Sequence, residues 1–202
     1  MDPDWRPSDH PAYCYLLGLY LGDGCITQRS QNSSSMTLTM DSGYPGVIEE
    51  AAAAIQRVFP QARVSRHNKH EGRCLNLQVS NASLPVAFPQ HGPGNKHLRK
   101  IELVDWQREL TRQHPGQLLR GLIHSDGCRT FNEFDVKLLG GRVGHYRYPR
   151  YFFTNLSADI RGIFCDHCEL LGIRWTQSNH RNISVSHRDS VAILDSFVGP
   201  KT

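Results

Sequence analysis

The sequence predicts an α+β fold built of two pseudo-symmetric halves, each running αββα and then ββα, and three observations predict it. The first is an internal repeat: LLGLYLGDGCIT (Leu16 to Thr27) and LRGLIHSDGCRT (Leu119 to Thr130) agree at seven of twelve positions without a gap. The second is that the likeness continues downstream in the same order. QARVSRHN (Gln61 to Asn68) resembles GIRWTQSN (Gly172 to Asn179), LQVSNAS (Leu77 to Ser83) resembles ISVSHRDS (Ile183 to Ser190), and Phe88 is followed by HGPGNK as Phe197 is by VGPK. The third is that the hydrophobic period switches between helical and alternating in the same sequence in both halves. The halves are expected at 1–102 and 103–202, joined by a connecting segment at about 88–116.

Each half opens on a helix that runs into Asp-Gly, where the glycine is expected to stop it. Polar and β-branched stretches follow, MTLTM (Met36 to Met40) and RYFFTN (Arg150 to Asn155), which suit strands. An amphipathic helix comes next, Gly46 to Val58 in one half and Ala158 to Leu171 in the other. Two alternating segments then form a hairpin in which Leu77 and Val79, or Ile183 and Val185, face inward while Gln78 and Ser184 face out. The connecting segment is rich in Pro and Gly at first and helical around Leu103 to Thr111.

With 202 residues, 21% of them charged, the chain has the profile of an ordinary globular protein. A net charge of +4, a pI near 8.8 and eleven histidines lean its surface toward polyanions. No apolar run reaches the roughly 18 residues that cross a bilayer, and MDPDWRPSDHPAY lacks the basic and apolar regions of a signal peptide, so a cytoplasmic location without membrane contact is expected. The six cysteines are then expected as thiols. Cys165 and Cys168 have a metal-like spacing, but Ile160, Ile163, Phe164, Cys168 and Leu171 recur at helical intervals, so the pair reads as core packing rather than a zinc half-site.

The repeated motif carries the chemistry. Gly18 and Gly22, like Gly121 and Ser125, stand four apart and so share one helix face, which lets the two helices pack backbone to backbone. Asp23 and Asp126 end those helices and would be brought together. Their carboxylates would repel each other and sit at the negative ends of two helix dipoles. A divalent cation resolves both problems, and Mg²⁺ prefers such hard oxygen ligands with water and phosphate.

LLGLYLGDG (Leu16 to Gly24) and LRGLIHSDG (Leu119 to Gly127) resemble the two signature motifs of the LAGLIDADG homing endonucleases, in the two-motif, single-chain, free-standing form called DOD-type. The resemblance implies that the motif helices form the interface between halves and that each half lays a saddle-shaped antiparallel sheet into the DNA major groove. It implies a site-specific, Mg²⁺-dependent endonuclease of double-stranded DNA, with Mn²⁺ substituting. Asp23 and Asp126 would be the metal-binding catalytic residues, helped by the carbonyls of Gly22 and Ser125. The sixth motif position, often acidic, is Leu21 in one half and His124 in the other, and His124 reads as a residue of the interface or the site edge. The family's basic active-site residue aligns with Arg99, with Lys96 and Lys100 as competitors, and with Lys201 in the second half. Their expected role is to stabilise phosphate charge and position water.

Long polar side chains on the sheets would contact DNA: Arg63, Ser65, His67, Lys69, Arg73, Asn76 and Gln78 in the first half, and Arg174, Thr176, Gln177, Asn179 and Arg181 in the second. GGRVGHYRYPR adds Arg142, Arg147 and Arg150 amid tyrosines. Because the halves differ at most of these positions, an asymmetric target is expected. Two motifs in one chain imply a monomer with no obligate protein partner. A DNA-binding regulator that does not cleave, on the same scaffold, is the alternative, and retention of both aspartates favours cleavage. An intein is disfavoured, since neither the first residue nor the last two have the types that splicing requires.

Overall fold

The computed structural model describes residues 3–30 and 33–202. The first half contains α1 (His10–Asp23), β1 (Gly24–Ser30), β2 (Ser33–Asp41), α2 (Pro45–Val58), β3 (Val64–Lys69), β4 (Cys74–Ser80) and the single turn α3 (Leu84–Ala87). After the connecting helix α4 (Asp105–Gln113) the same order returns. It runs α5 (Pro115–Asp126), β5 (Gly127–Lys137), β6 (Val143–Thr154), α6 (Ala158–Leu170), β7 (Thr176–Gln177), β8 (Asn182–Val185) and α7 (Arg188–Asp195). The strands form two four-stranded antiparallel sheets of matching order, β1-β2-β4-β3 and β5-β6-β8-β7.

Helix α1 begins where the Asp9 carboxylate accepts the Ala12 N–H at 3.0 Å. Residues Ala12 to Leu21 are all buried, because α1 lies against α5 on one side and against the first sheet and α2 on others. The small residues make this approach possible. A Cβ on Gly18 would stand 2.5 Å from the Leu118 carbonyl oxygen and 2.8 Å from the Gly121 Cα. Two helices meet here with no side chain between them.

Gly24 and Gly127 follow the helices, but not as left-handed stops. Their φ/ψ values are −87°/148° and −112°/167°, extended backbone that any residue can adopt. Glycine is required by proximity instead. A Cβ would lie 2.6 Å from the Tyr20 Cα at Gly24 and 2.7 Å from the Ile123 Cα at Gly127, since each chain turns from helix into strand without a linking residue.

The sheets bury one face each. In the first, Met36, Leu38, Leu77 and Val79 are buried on the helix side, where β2 lies against α1 and α3 and β4 against α2. In the second, Tyr151, Phe153, Ile183 and Val185 face the helices, and Phe153 stacks on Phe164 of α6 at 4.4 Å between ring centroids. Cys165 and Cys168 are buried on α6. The alternation expected for the hairpins is present, with one correction. Ser184 lies on the face opposite Ile183 and Val185, yet it is buried, because the Arg150 guanidinium lies over it and donates to its Oγ at 2.6 Å.

The halves differ in one respect that bears on function. Strand β4 pairs along β2 from Ser35 to Asp41, whereas β8 pairs with β6 only from Tyr151 to Thr154. From Val143 to Arg150, β6 is bonded to β5 alone, and Pro149, which has no N–H to give a second neighbour, lies in that stretch. The β5–β6 pair therefore projects as a two-stranded ribbon. Among the described residues no helix is long and apolar enough to cross a membrane.

Candidate active site

Helices α1 and α5 end side by side, and their last residues are Asp23 and Asp126. The Asp126 carboxylate crosses over to the opposite helix. A Cβ on Gly22 would lie 2.9 Å from Asp126 Oδ2, so this oxygen rests against the end of α1. A cleft of about 520 Å³ contains Gly22, Asp126, Lys96, Arg99 and Asn155, and a second of about 280 Å³ contains Asp23, Ser125, Asp41, Tyr44 and Lys201. Each cleft thus pairs one motif aspartate with one lysine and with the final turn of the other helix, and the second also contains Asp41.

Burial raises both carboxylates above their ordinary range. For Asp23 the rise reaches about 7, with repulsion from Asp126 adding to burial and Lys96 and Lys201 opposing it. Asp126 is also raised by burial, and it is held down in part by Asn155, whose Nδ2 donates to Oδ2 at 2.6 Å, and by the two lysines.

Lys96 arrives on a short 3-10 turn, Lys96–Leu98. Its ammonium donates to the carbonyls of Tyr20, which also accepts the Gly24 N–H, Leu21 (3.0 Å) and Gly22 (3.2 Å) at the C-terminus of α1, and lies 4.8 Å from the Tyr20 ring centre. Burial lowers it to about 8, against the pull of the two aspartates. Lys201 is the counterpart: its Nζ donates to the Gly127 carbonyl at 2.5 Å and lies 5.6 Å from the Tyr44 ring centre. Arg99 lines the Asp126 cleft from behind, donating to the Gln90 carbonyl, while Lys100 is exposed and paired with Glu102 at 2.7 Å. Of the three competing basic residues, the fold brings Lys96 to the aspartates. Lys96→Ala is expected to lower cleavage of a cognate duplex by about a hundredfold, and Lys100→Ala by less than about twofold, in single-turnover assays.

The donor set suits a hard divalent cation. No group of three or more His, Cys, Asp or Glu gathers among the described residues, so beyond the two carboxylates the ligands would have to be main-chain carbonyls, water and phosphate, the mixture Mg²⁺ and Mn²⁺ favour. The Gly22 carbonyl, expected as a ligand, already accepts from Lys96, and a carbonyl has a second lone pair to offer. The Ser125 hydroxyl turns back to the Gly121 and Leu122 carbonyls, at 3.1 and 3.0 Å, leaving the main chain of Ser125 as its possible donor.

Two supports of the site carry little sequence signal. Asn155 follows β6, where its Oδ1 accepts the Ser157 N–H at 2.8 Å, and its role in the site comes from the tertiary contact of its Nδ2 with Asp126. His124 is buried and kept neutral, lowered to about 4 by burial. Its Nε2–H donates to the Val198 carbonyl at 3.0 Å while Nδ1 accepts from the Tyr15 hydroxyl at 2.9 Å. With Arg120, which donates to the Phe197 carbonyl at 2.7 Å, it fixes the segment that carries Lys201.

No protein-family model and no curated protein matches the sequence. Solved structures do match. I-DmoI, in complex with DNA and Mn, superposes with a TM-score of 0.60 at 16% identity, over 96% of this chain and 99% of that one. The LAGLIDADG meganuclease I-AabMI, bound to uncleaved DNA, gives 0.54 at 13% identity over 92% and 82%. Full-length DUF199/WhiA from "Thermatoga maritima" gives 0.58 at 11% identity, covering 98% of this chain and 58% of its own length. The chain has the LAGLIDADG homing endonuclease fold. Its two LAGLIDADG helices are α1 and α5.

On this LAGLIDADG scaffold the strand register assigns the candidate contact residues that lie on strands to a face. Ser65, His67, Lys69, Asn76 and Gln78 occupy one face of the first sheet, opposite the helices, and Arg63 lines a shallow depression there with Ser65 and Gln78. Arg73 sits in the β3–β4 turn, bonded to the His70 carbonyl. Arg150 and Thr176 lie on the equivalent open face of the second sheet. Arg147 and Gln177 lie on the other face, and Arg147 pairs with Glu133 at 2.7 Å. Arg142 belongs to the turn at the ribbon tip. Arg174 turns toward His187, Asn179 caps the β7–β8 turn through the Arg181 and Asn182 N–H groups, and Arg181 borders the Asp126 cleft.

Proposed function

We propose that this protein is a site-specific endonuclease that hydrolyses phosphodiester bonds of double-stranded DNA with a divalent metal, Mg²⁺ or Mn²⁺. The observation that carries the reading is the pairing of Asp23 with Asp126 at two helix ends packed backbone to backbone, each in its own cleft with its own lysine. A half-buried acidic pair under mutual repulsion opposes folding when no counter-ion is bound, and it suits metal-dependent phosphodiester hydrolysis. The halves are taken as 1–102 and 103–202, one aspartate and one lysine to each, so a monomer addresses both strands.

Asp23 and Asp126, with the carbonyls of Gly22 and Ser125, would hold the metal, which supplies Lewis-acid polarisation of the scissile phosphate and of the attacking water. Lys96 and Lys201 set a positive charge beside each carboxylate, and Lys201, with one donor committed to the Gly127 carbonyl, offers further N–H groups to the phosphate oxygens, where negative charge grows in the transition state. Asn155 fixes the Asp126 carboxylate through one oxygen and leaves the other free. His124 and Arg120 restrain the chain that presents Lys201. The open sheet faces, polar in the first half and basic at Arg150, would bind the duplex major groove.

The test is a randomised duplex library incubated with Mg²⁺, with binding scored separately in Ca²⁺. Cleavage at one defined sequence is the expected result. A chain that selects a sequence in Ca²⁺ but cuts nothing in Mg²⁺ or Mn²⁺ is instead a DNA-binding regulator on this scaffold.

A further inference from the structure

The two open sheet faces differ in chemistry. In the first half the face presents hydroxyls, amides, an imidazole and an ammonium, from Thr37, Thr39, Asn76, Gln78, His67 and Lys69. On the projecting β5–β6 ribbon the same face presents Phe134, Val136, Tyr146 and Tyr148, all between 37% and 47% exposed. Phe134 sits directly opposite Tyr146 and stacks on it at 5.5 Å, with Tyr148 edge-on at 5.9 Å. The Tyr148 hydroxyl is turned to Asn132, which donates to it at 2.8 Å. The strip is continuous with Arg150, nearer the active site on the same face.

Resting on the proposed DNA-cleaving function, we infer that this strip reads thymine. The major groove admits a two-stranded ribbon, and the feature it offers to apolar side chains is the thymine C5 methyl. A strip of rings and one valine has few donors for base edges, but it gains from covering methyl groups. Recognition is therefore divided: the first half reads by hydrogen bonds and the ribbon reads thymine methyls in its own arm of the target. Cross-strand ring pairs also hold a ribbon together, and that role alone would weaken binding to every sequence alike without distinguishing one pyrimidine from another.

Uracil differs from thymine only by the methyl, so it separates the two roles. The sequence selected by the wild type in Ca²⁺ is resynthesised with deoxyuridine at each thymine in turn, and affinity is measured in Ca²⁺, where no cleavage is needed. Loss of about fourfold per contacted methyl is expected at two or more thymines confined to one arm. The double variant Phe134→Thr/Tyr146→Thr is expected to bind the thymine and uracil forms of that arm equally. The inference is overturned if no position responds, if the responses fall in both arms, if they persist in the variant, or if neither arm of the selected site contains thymine. It is also overturned if sedimentation shows a dimer that the double variant disperses, since the strip would then face a second copy. Absence of cleavage leaves this test intact, whereas failure to select any duplex defeats both readings.

Discussion

Asp23→Asn and Asp126→Asn are each expected to reduce cleavage of a cognate duplex by about a thousandfold or more while leaving affinity in Ca²⁺ within a few-fold of wild type. Asparagine keeps the shape but not the charge. Because each carboxylate serves a different cleft, lined by the final turn of the opposite helix, neither can substitute for the other. The same substitution should change stability in the reverse sense. Asp23 is raised from 3.8 to about 7 in the metal-free fold, so ionising it opposes folding. The wild type is thus free of this cost below pH 4 and loses stability as pH rises toward 7. Metal-free Asp23→Asn escapes the loss and should be the more stable protein at pH 8, by roughly 2 kcal/mol after allowance for partial solvation, with the advantage fading by pH 4. Urea denaturation in a chelator at the two pH values reads this directly. A variant that is inactive but more stable marks Asp23 as held for chemistry rather than for the fold.

Gly121→Ala is expected to destabilise the fold by about 3 kcal/mol or more, a fall in Tm of roughly 6–12 °C. The added Cβ would meet the Gly18 Cα at 2.9 Å and the Leu19 nitrogen at 3.0 Å, with the Tyr15 carbonyl closer still. All three are backbone atoms, so no rotamer change gives relief, and α1 and α5 must move apart. Separation also pulls Asp23 from Asp126, so cleavage should fall even below the melting transition. Gly162→Ala is the control. It lies on the exposed side of α6 with nothing within 4 Å of the new Cβ, and is expected to be neutral or to stabilise by up to about 1 kcal/mol. Thermal denaturation followed by circular dichroism distinguishes the two.

Much of this was legible in the residue order, for local reasons. The duplicated motif places an aspartate one residue beyond a small-residue face, and a face of Gly18 and Gly121 admits only another backbone, so the pairing of Asp23 and Asp126 follows once both helices exist. Alternation in the β4 and β8 segments likewise marks Leu77, Val79, Ile183 and Val185 as inward, because a strand has only two faces.

Other features were decided by tertiary structure alone. Choosing Lys96 over Arg99 and Lys100 depended on the 3-10 turn that aims one of three neighbouring cations at the carbonyl end of α1, a target that exists only after folding. Gly24 and Gly127 were expected to terminate helices by backbone conformation, and they are needed instead because strand follows helix too closely for any Cβ. The burial of Ser184 under Arg150 and the contact of Asn155 with Asp126 join residues far apart in sequence. The ribbon needed the pairing of β5 with β6 beyond Tyr151, a stretch that no run of core residues marks. What the sequence by itself determined is the set of short-range patterns, helix faces, strand alternation and duplication, because these depend on backbone periodicity. What only the tertiary structure decided is which polar groups converge on the aspartates and which face the groove, because convergence depends on the relative placement of elements that local sequence does not encode.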